Sequence, residues 1–188
     1  MALTEGASPF VLLAVVLVVV AVRTDPHWVR SALLTVLPIV AVPQAISLVM
    51  TRRRIVTDRF IVHRQQRHLY YALTLASILA GAALVFLVPT APAMRTMVVM
   101  AVGTLLTVMA VNTVLKISIH ALGAALAAIV LPGVTGAWWL LAASVPLWLG
   151  VSWSRLHLAR HALPEVVLGS VLGGAVGLVF LMLAGGAG

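Results

Sequence analysis

The sequence contains no cysteine, and only four of its 188 residues are acidic. The absence of cysteine excludes disulfide bonds, thiolate metal sites and cysteine nucleophiles. Charged residues of either sign make up 9% of the chain, whereas a water-soluble domain needs about a quarter to cover its surface. This scarcity excludes a soluble, secreted or disordered protein. Because 63% of the residues are hydrophobic, the composition indicates an integral membrane protein.

The apolar residues form seven stretches that are candidate membrane spans. A bilayer core about 30 Å thick requires roughly 20 apolar residues per helix, and the first and fifth stretches are shorter than that. We therefore predict an all-α protein with six to seven transmembrane helices in one bundle, a single domain over residues 1–188. In the last stretch, Gly169, Gly173 and Gly177 repeat every four residues, which predicts a smooth face for close helix packing. The stretches cover residues 9–22, 29–49, 69–88, 96–115, 118–131, 138–153 and 164–185.

The net charge of +8 comes from eleven arginines and one lysine. In a soluble protein this excess would suggest nucleic acid, but here the cations lie between apolar runs. That position fits the bilayer and its phosphate headgroups, so no nucleic-acid partner is expected. If the spans alternate, nine cations lie on one side and three on the other, and the positive-inside rule predicts that the rich side is cytoplasmic. The rich side holds Arg52, Arg53, Arg54, Arg59, Arg64, Arg67, Lys116, Arg155 and Arg160, and the other side holds Arg23, Arg30 and Arg95.

The richest polar segment, residues 154–165, follows one apolar helix and opens the next. Ionisable groups at membrane depth are costly, so they usually face a cavity and serve a function. His161 and Glu165 are four residues apart, a spacing that lets the carboxylate bond one ring nitrogen of the imidazole. The other nitrogen would then be available to attack a substrate, and the nearby carboxylate is expected to raise the pKa of His161.

Two further polar segments are expected on the same side of the membrane. Lys116 and His120 place a cation one helical turn before a histidine. Arg64 and Arg67, three residues apart on a predicted helix, suit the binding of one anion from one face. Asn112 is interpreted as a helix-packing residue rather than a chemical one.

These segments resemble the signatures of the type-2 phosphatidic acid phosphatase family, over the chain from about residue 51 to the end. Ser154, Arg155 and His161 match the third signature, SRxxxxxHxxxD, with Glu165 in place of its aspartate. Of the second, PSGH, only the serine and histidine remain, as Ser118 and His120.

The first signature, KxxxxxxRP, is met only in its arginine, by Arg67 followed by His68. Phe60 stands where its lysine would be, and Arg64 and Lys116 remain open as substitutes for that cation. The wider superfamily includes lipid phosphate phosphatases, bacterial undecaprenyl-diphosphate phosphatases and vanadium haloperoxidases.

The resemblance implies metal-independent hydrolysis of a lipid phosphate or diphosphate through a phosphohistidine, without a cofactor. It implies that His161 is the nucleophile, that Glu165 orients its ring and that His120 protonates the leaving group. The implied phosphate-binding residues are Arg64, Arg67, Lys116, Ser118, Ser154 and Arg155. The implied location is a bacterial cell membrane. Most bacterial relatives in that family work at the outer face, whereas the charge count places this site on the cytoplasmic face.

Three alternatives remain open from the sequence. The cations could form the anion pathway of a transporter or channel. The chain could be a non-catalytic relative that binds lipid headgroups. His157 and His161, four residues apart, could instead be a helical metal pair, with Glu165 as a third ligand.

Overall fold

The computed structural model describes residues 8–57 and 66–185, and within them the protein consists of helices and short loops without a β-strand. We number the seven helices α1 to α7 in chain order. The second is continuous across a π-helical turn at Leu37–Ala41 that separates two α-helical parts. A short 3₁₀ turn, Trp138–Leu140, precedes α6. The helices are α1 Pro9–Thr24, α2 Trp28–Arg52, α3 Arg67–Leu87, α4 Pro92–Val111, α5 Ile119–Thr135, α6 Leu141–His157 and α7 Leu163–Gly185.

All seven predicted apolar stretches are helical over most of their length, although several boundaries differ by three or four residues. The stretch predicted at 96–115 forms α4, which begins at Pro92 and ends at Val111. Pro92 suits a first helical turn because its missing N–H has no partner there in any case. At the other end, the backbone N–H of Asn112 caps the helix by bonding the carbonyl of Val108, and a turn follows.

Within residues 8–57 and 66–185, four helices are long and apolar enough to cross a membrane, which supports the assignment as a membrane protein. Helices α1 and α5 are apolar but shorter, at 16 and 17 residues, as the sequence predicted for the first and fifth stretches. At 1.5 Å per residue, each extends about 25 Å, a little less than a typical bilayer core. The four long helices are Trp28–Arg52, Arg67–Leu87, Pro92–Val111 and Leu163–Ala184.

Helix α5 lies at the centre of the bundle, against α1, α6 and α7. Its residues from His120 to Ala128 are all buried, because neighbours surround an apolar helix on every side. Gly169 and Gly173 of α7 lie directly on its backbone: a Cβ at Gly169 would be 2.5 Å from the carbonyl oxygen of Ser118. At Gly173 it would overlap the carbonyl oxygen of Leu122. The predicted close-packing face is confirmed, and its partner is α5.

Asp25 joins three segments at the end of the bundle where α1 stops. Its buried carboxylate accepts hydrogen bonds from the Ser31 hydroxyl at 2.7 Å and from the backbone N–H groups of His27 and Ala91 at 2.8 and 2.9 Å. Burial alone would raise the pKa of Asp25, but these bonds and the nearby Arg30 outweigh it and lower the pKa. The carboxylate therefore stays ionised and ties the α1–α2 loop to the start of α4.

Candidate functional site

The ends of α2, α4 and α6 and the starts of α3, α5 and α7 lie together at the opposite end of the bundle, which we call the site end. Arg67, which begins α3, donates a hydrogen bond of 2.6 Å from Nη1 to Oδ1 of Asn112, just beyond α4. The backbone N–H of Ser118, before α5, donates to the carbonyl of Glu165 in the first turn of α7 at 3.1 Å. Described residues of all three polar segments, far apart in sequence, are thus gathered at one end.

At the centre of the site end, His161 and Glu165 form the contact that their spacing predicts. Nδ1 of His161 lies 2.7 Å from Oε2 of Glu165, which is also 3.3 Å from the backbone N–H of Ala162. Glu165 lies in the first turn of α7, where the helix dipole stabilises a negative charge. The carboxylate holds one ring nitrogen, so Nε2 is the nitrogen left for chemistry.

A tight turn after α6 returns His161 towards Arg155. The turn is made by Ala159, whose φ of 50° is in the left-handed region that glycine usually occupies. The backbone N–H groups of Arg160 and His161 then donate to the carbonyl of Arg155 at 3.2 and 3.3 Å. The end of α6 and the predicted nucleophile are therefore held in one hydrogen-bonded loop.

Cationic and imidazole groups of α3, α5 and α6 lie within electrostatic reach of His161 or of one another. Arg155 and His120 are buried, at 8% and 6% exposure, and His120 lies within electrostatic reach of both Arg155 and His161. The positive charge of Arg67 also lowers the pKa of His161. Nε of Arg155 is buried and has no hydrogen-bond partner among the described residues. A buried guanidinium with an unused donor favours an anionic ligand, because leaving such a donor unsatisfied costs free energy.

The balance of charges around His161 differs from the sequence expectation. Burial lowers the pKa of His161 below its usual 6.5, and although the hydrogen bond and charge of Glu165 raise it as predicted, the net pKa is lowered. Arg155 and Arg67 add to the lowering by repelling a second positive charge. The predicted effect of Glu165 is confirmed, but burial and these two arginines together outweigh it. His161 is therefore neutral at pH 7, the form that can act as a nucleophile.

Not all predicted phosphate-binding residues lie in this cluster. Lys116 is exposed in the α4–α5 loop, not one helical turn before His120, because α5 begins only at Ile119. The predicted helical pairing of Lys116 with His120 was therefore wrong. Ser154 is half-buried in α6, and its hydroxyl forms no hydrogen bond within the described chain. Arg64 lies outside the described residues, as do Arg59 and Asp58.

Ser118 has a structural role at the start of α5. It is fully buried, and its Oγ accepts a hydrogen bond of 3.4 Å from the backbone N–H of Ala121 as the helix N-cap. This cap defines where the helix begins and so places His120 in its first turn.

Two residues of the site end were not assigned a role there by sequence reasoning. Asn112 was interpreted as a packing residue, and it does link α3 to α4, but the group that it bonds is Arg67. Tyr71, one turn along α3, also contacts the Arg67 guanidinium and is buried. The sequence signal for Asn112 was a lone asparagine at the end of an apolar helix. Its partner, Arg67, lies 45 residues away, so no local pattern indicated the bond between them.

The described residues contain no group of three histidine, aspartate or glutamate side chains placed to hold a metal ion. His157 is exposed and stacks on Trp153, with ring centroids 4.8 Å apart, whereas His161 bonds Glu165. This arrangement gives no support to the alternative of a His157–His161 metal pair.

Comparison with known proteins adds no relative to these observations. No family model, curated protein or solved structure matches the chain. The resemblance to the type-2 phosphatidic acid phosphatases therefore rests on short motifs alone, and the function must be argued from the geometry of the site end.

Proposed function

We propose that the protein is a membrane phosphatase that hydrolyses a lipid phosphate or diphosphate through a phosphohistidine on His161. The observation that carries the proposal is the bond from His161 Nδ1 to Glu165, in a cluster where Arg155 acts on both His120 and His161 and Arg67 acts on His161. A neutral imidazole with one nitrogen engaged and one available, beside two guanidinium groups, suits attack on a phosphoryl group. Phosphoryl transfer requires positioning and charge neutralisation above all.

The proposed reaction has two steps. Nε2 of His161 attacks phosphorus, the P–N bond forms, and the bond between phosphorus and the lipid oxygen breaks. His120 protonates that departing oxygen and then removes a proton from water. The water attacks the phosphohistidine, which releases inorganic phosphate and returns His161 to its starting state. Glu165 holds the ring throughout and stabilises the imidazolium character that develops on attack.

The proposed substrate is a lipid because the cluster lies at the ends of membrane-type helices. We propose that all seven helices cross a bacterial cell membrane, with the site end on the cytoplasmic side as the charge count predicts. A phosphate at the site end would then lie at headgroup level, with its apolar tail between helices. Isoprenyl phosphates and phosphatidic-acid-like lipids both have this form.

The arrangement of charges favours hydrolysis over an anion pathway through the bundle. Arginine, lysine, aspartate and glutamate residues of the described helices lie within the terminal turns, and the central turns carry none. A transporter or channel for anions needs polar groups through the depth of the membrane. A protein that binds a lipid headgroup without hydrolysing it uses the same cations. An experiment is therefore needed to separate this alternative from catalysis.

Release of inorganic phosphate from lipid phosphates tests the proposal on the detergent-purified protein. We expect release that resists a metal chelator and falls about a thousandfold or more in His161→Ala, the scale seen when a nucleophile is removed. His157→Ala is the matched control, since His157 is exposed and lies on the same stretch of chain. Release that needs a metal, or equal loss in both variants, contradicts the mechanism. Binding without release indicates a headgroup-binding protein.

A further inference from the structure

Asn112 is a polar residue of the site end that the proposed reaction does not yet use. It follows the last turn of α4, and its backbone N–H is bonded to the carbonyl of Val108 at 2.9 Å. Its side chain is 5% exposed. The position of its amide group is therefore set by the end of α4 and by the packing around it.

The amide of Asn112 is directed at a cation that acts on the nucleophile. Its Oδ1 accepts from Nη1 of Arg67 at 2.6 Å, a short bond typical of a charged donor. Arg67 in turn lies close enough to His161 to lower its pKa. Tyr71 contacts the same guanidinium from the next turn of α3. Two neutral side chains, Asn112 and Tyr71, thus orient Arg67. The guanidinium of Arg67 in turn lies close enough to His161 to repel a positive charge on its ring.

The chemistry of the acceptor matters because a guanidinium has five N–H donors in one plane. A neutral carbonyl oxygen that binds Nη1 sets the direction of that plane while leaving the positive charge in place. A carboxylate at the same position would orient the group equally well but would cancel much of its attraction for phosphate.

We infer that Asn112 is a positioning residue for phosphoryl binding, which holds the guanidinium of Arg67 so that its positive charge faces the phosphoryl group. The inference rests on the proposed function, because it assigns the anion at this site to a phosphoryl group. It also gives α4, which contributes no other residue to the cluster described above, a part in the reaction.

Two substitutions separate positioning from structural support. Asn112→Asp keeps the bond to Arg67 and the link between α3 and α4, so we expect thermal stability close to that of the unmodified protein. Its added negative charge should raise the inhibition constant for inorganic phosphate, and the KM for the lipid phosphate, by about tenfold or more. Asn112→Leu removes the bond and should weaken phosphate binding together with stability.

Thr113→Val is the matched control. Thr113 is the next residue and is exposed in the turn after α4, and among the described residues its hydroxyl donates to the carbonyl of Ala110 at the end of that helix, so phosphate binding should not change. A double-mutant cycle adds a second test. Because Asn112 acts through Arg67, Asn112→Leu should cost nothing further in phosphate affinity once Arg67→Ala is present.

The outcomes separate this inference from the proposed function. The inference is wrong and the function stands if the unmodified protein hydrolyses lipid phosphate but the Asn112→Asp variant binds inorganic phosphate as tightly as the unmodified protein. If the unmodified protein releases no phosphate but binds it, as followed by ³¹P NMR, weaker binding by Asn112→Asp still supports the positioning role. If it neither hydrolyses nor binds phosphate, both are wrong.

Discussion

His161 is held between groups that shift its pKa in opposite directions. Burial, Arg155 and Arg67 lower the pKa, while the bond to Glu165 raises it, and the lowering prevails. The resulting ring is neutral at physiological pH yet remains hydrogen-bonded to a carboxylate. Both properties favour a nucleophile, because a protonated imidazole cannot attack phosphorus and an unoriented one attacks rarely.

The pH dependence of kcat/KM should report this balance. Since His161 must be neutral to react, activity should fall on the acid side with a midpoint below the usual histidine value of 6.5. In Glu165→Gln the carboxylate that raises the pKa is lost, so the acid limb should move to still lower pH while the maximal rate falls about tenfold or more. An acid limb above 6.5, or one that moves to higher pH in Glu165→Gln, would contradict the assignment.

Arginines at the same end of the bundle should differ sharply in their effect on turnover. Arg155 is buried beside His120, whereas Arg53 is exposed at the end of α2. We expect Arg155→Ala to lower kcat/KM about a hundredfold or more, as when a donor to developing charge is removed. Arg53→Ala should stay near the unmodified value. Protein yield and thermal stability are measured alongside, and equal losses would show that Arg155 does not touch the phosphoryl group.

At the scale of helices, the site depends on how closely α7 lies against α5. Glu165 belongs to α7 and His120 to α5, and the bond from the Ser118 N–H to the Glu165 carbonyl links their first turns. Gly169 permits this approach, since its Cα faces the carbonyl of Ser118 itself. The carboxylate of Glu165 and the imidazole of His120 are thus set in place by a glycine face one turn beyond them.

Substitution of neighbouring glycines tests this packing. Gly173→Ala would drive a methyl group into the Leu122 carbonyl and should lower the free energy of unfolding by about 1–3 kcal/mol. Gly174→Ala, one residue along, meets nothing within 4 Å and should be neutral or stabilising through helix propensity. Thermal unfolding in detergent measures both. Similar melting temperatures for the two variants would show that α7 does not pack on α5 through this face.

At the scale of the whole molecule, the two ends of the bundle have different tasks. The end with Asp25 is tied by hydrogen bonds within the protein: Asp25 bonds Ala91, Arg23 bonds the carbonyl of Thr135 at 3.0 Å, and Arg30 bonds that of Pro89. The site end instead gathers cations around one carboxylate among the described residues, Glu165. One end is internally satisfied, whereas the other is electrostatically suited to an anion.

The orientation of these ends across the membrane is testable because the chain has no native cysteine. His27→Cys lies in the α1–α2 loop, and Val114→Cys lies in the α4–α5 loop at the site end; both side chains are exposed. In intact bacterial cells, a membrane-impermeant maleimide should label position 27 at once and position 114 only after permeabilisation. The reverse pattern would place the site on the outer face, and labelling of both would contradict a bundle that spans the membrane.

Local features of the sequence were sufficient to predict much of the fold. Seven apolar runs became seven helices, the short first and fifth runs became short helices, and the Gly169–Gly177 repeat became a packing face. The His161–Glu165 contact was also predictable, because both partners lie within five residues of chain. The expectation for Lys116 failed at a helix boundary, where the cap at Ser118 started α5 at Ile119, three residues too late to include it.

The sequence by itself determined membrane residence, helical content and the imidazole–carboxylate pair, since hydrophobicity and spacings within one helical turn act locally. Only the tertiary structure decided that Arg67 acts on His161 and that Asn112 orients Arg67. It also decided that burial outweighs Glu165 in setting the His161 pKa. The reason is physical: a pKa and a charge-assisted bond depend on every group that packs nearby. Those groups come from helices separated by dozens of residues, whose register no local pattern encodes.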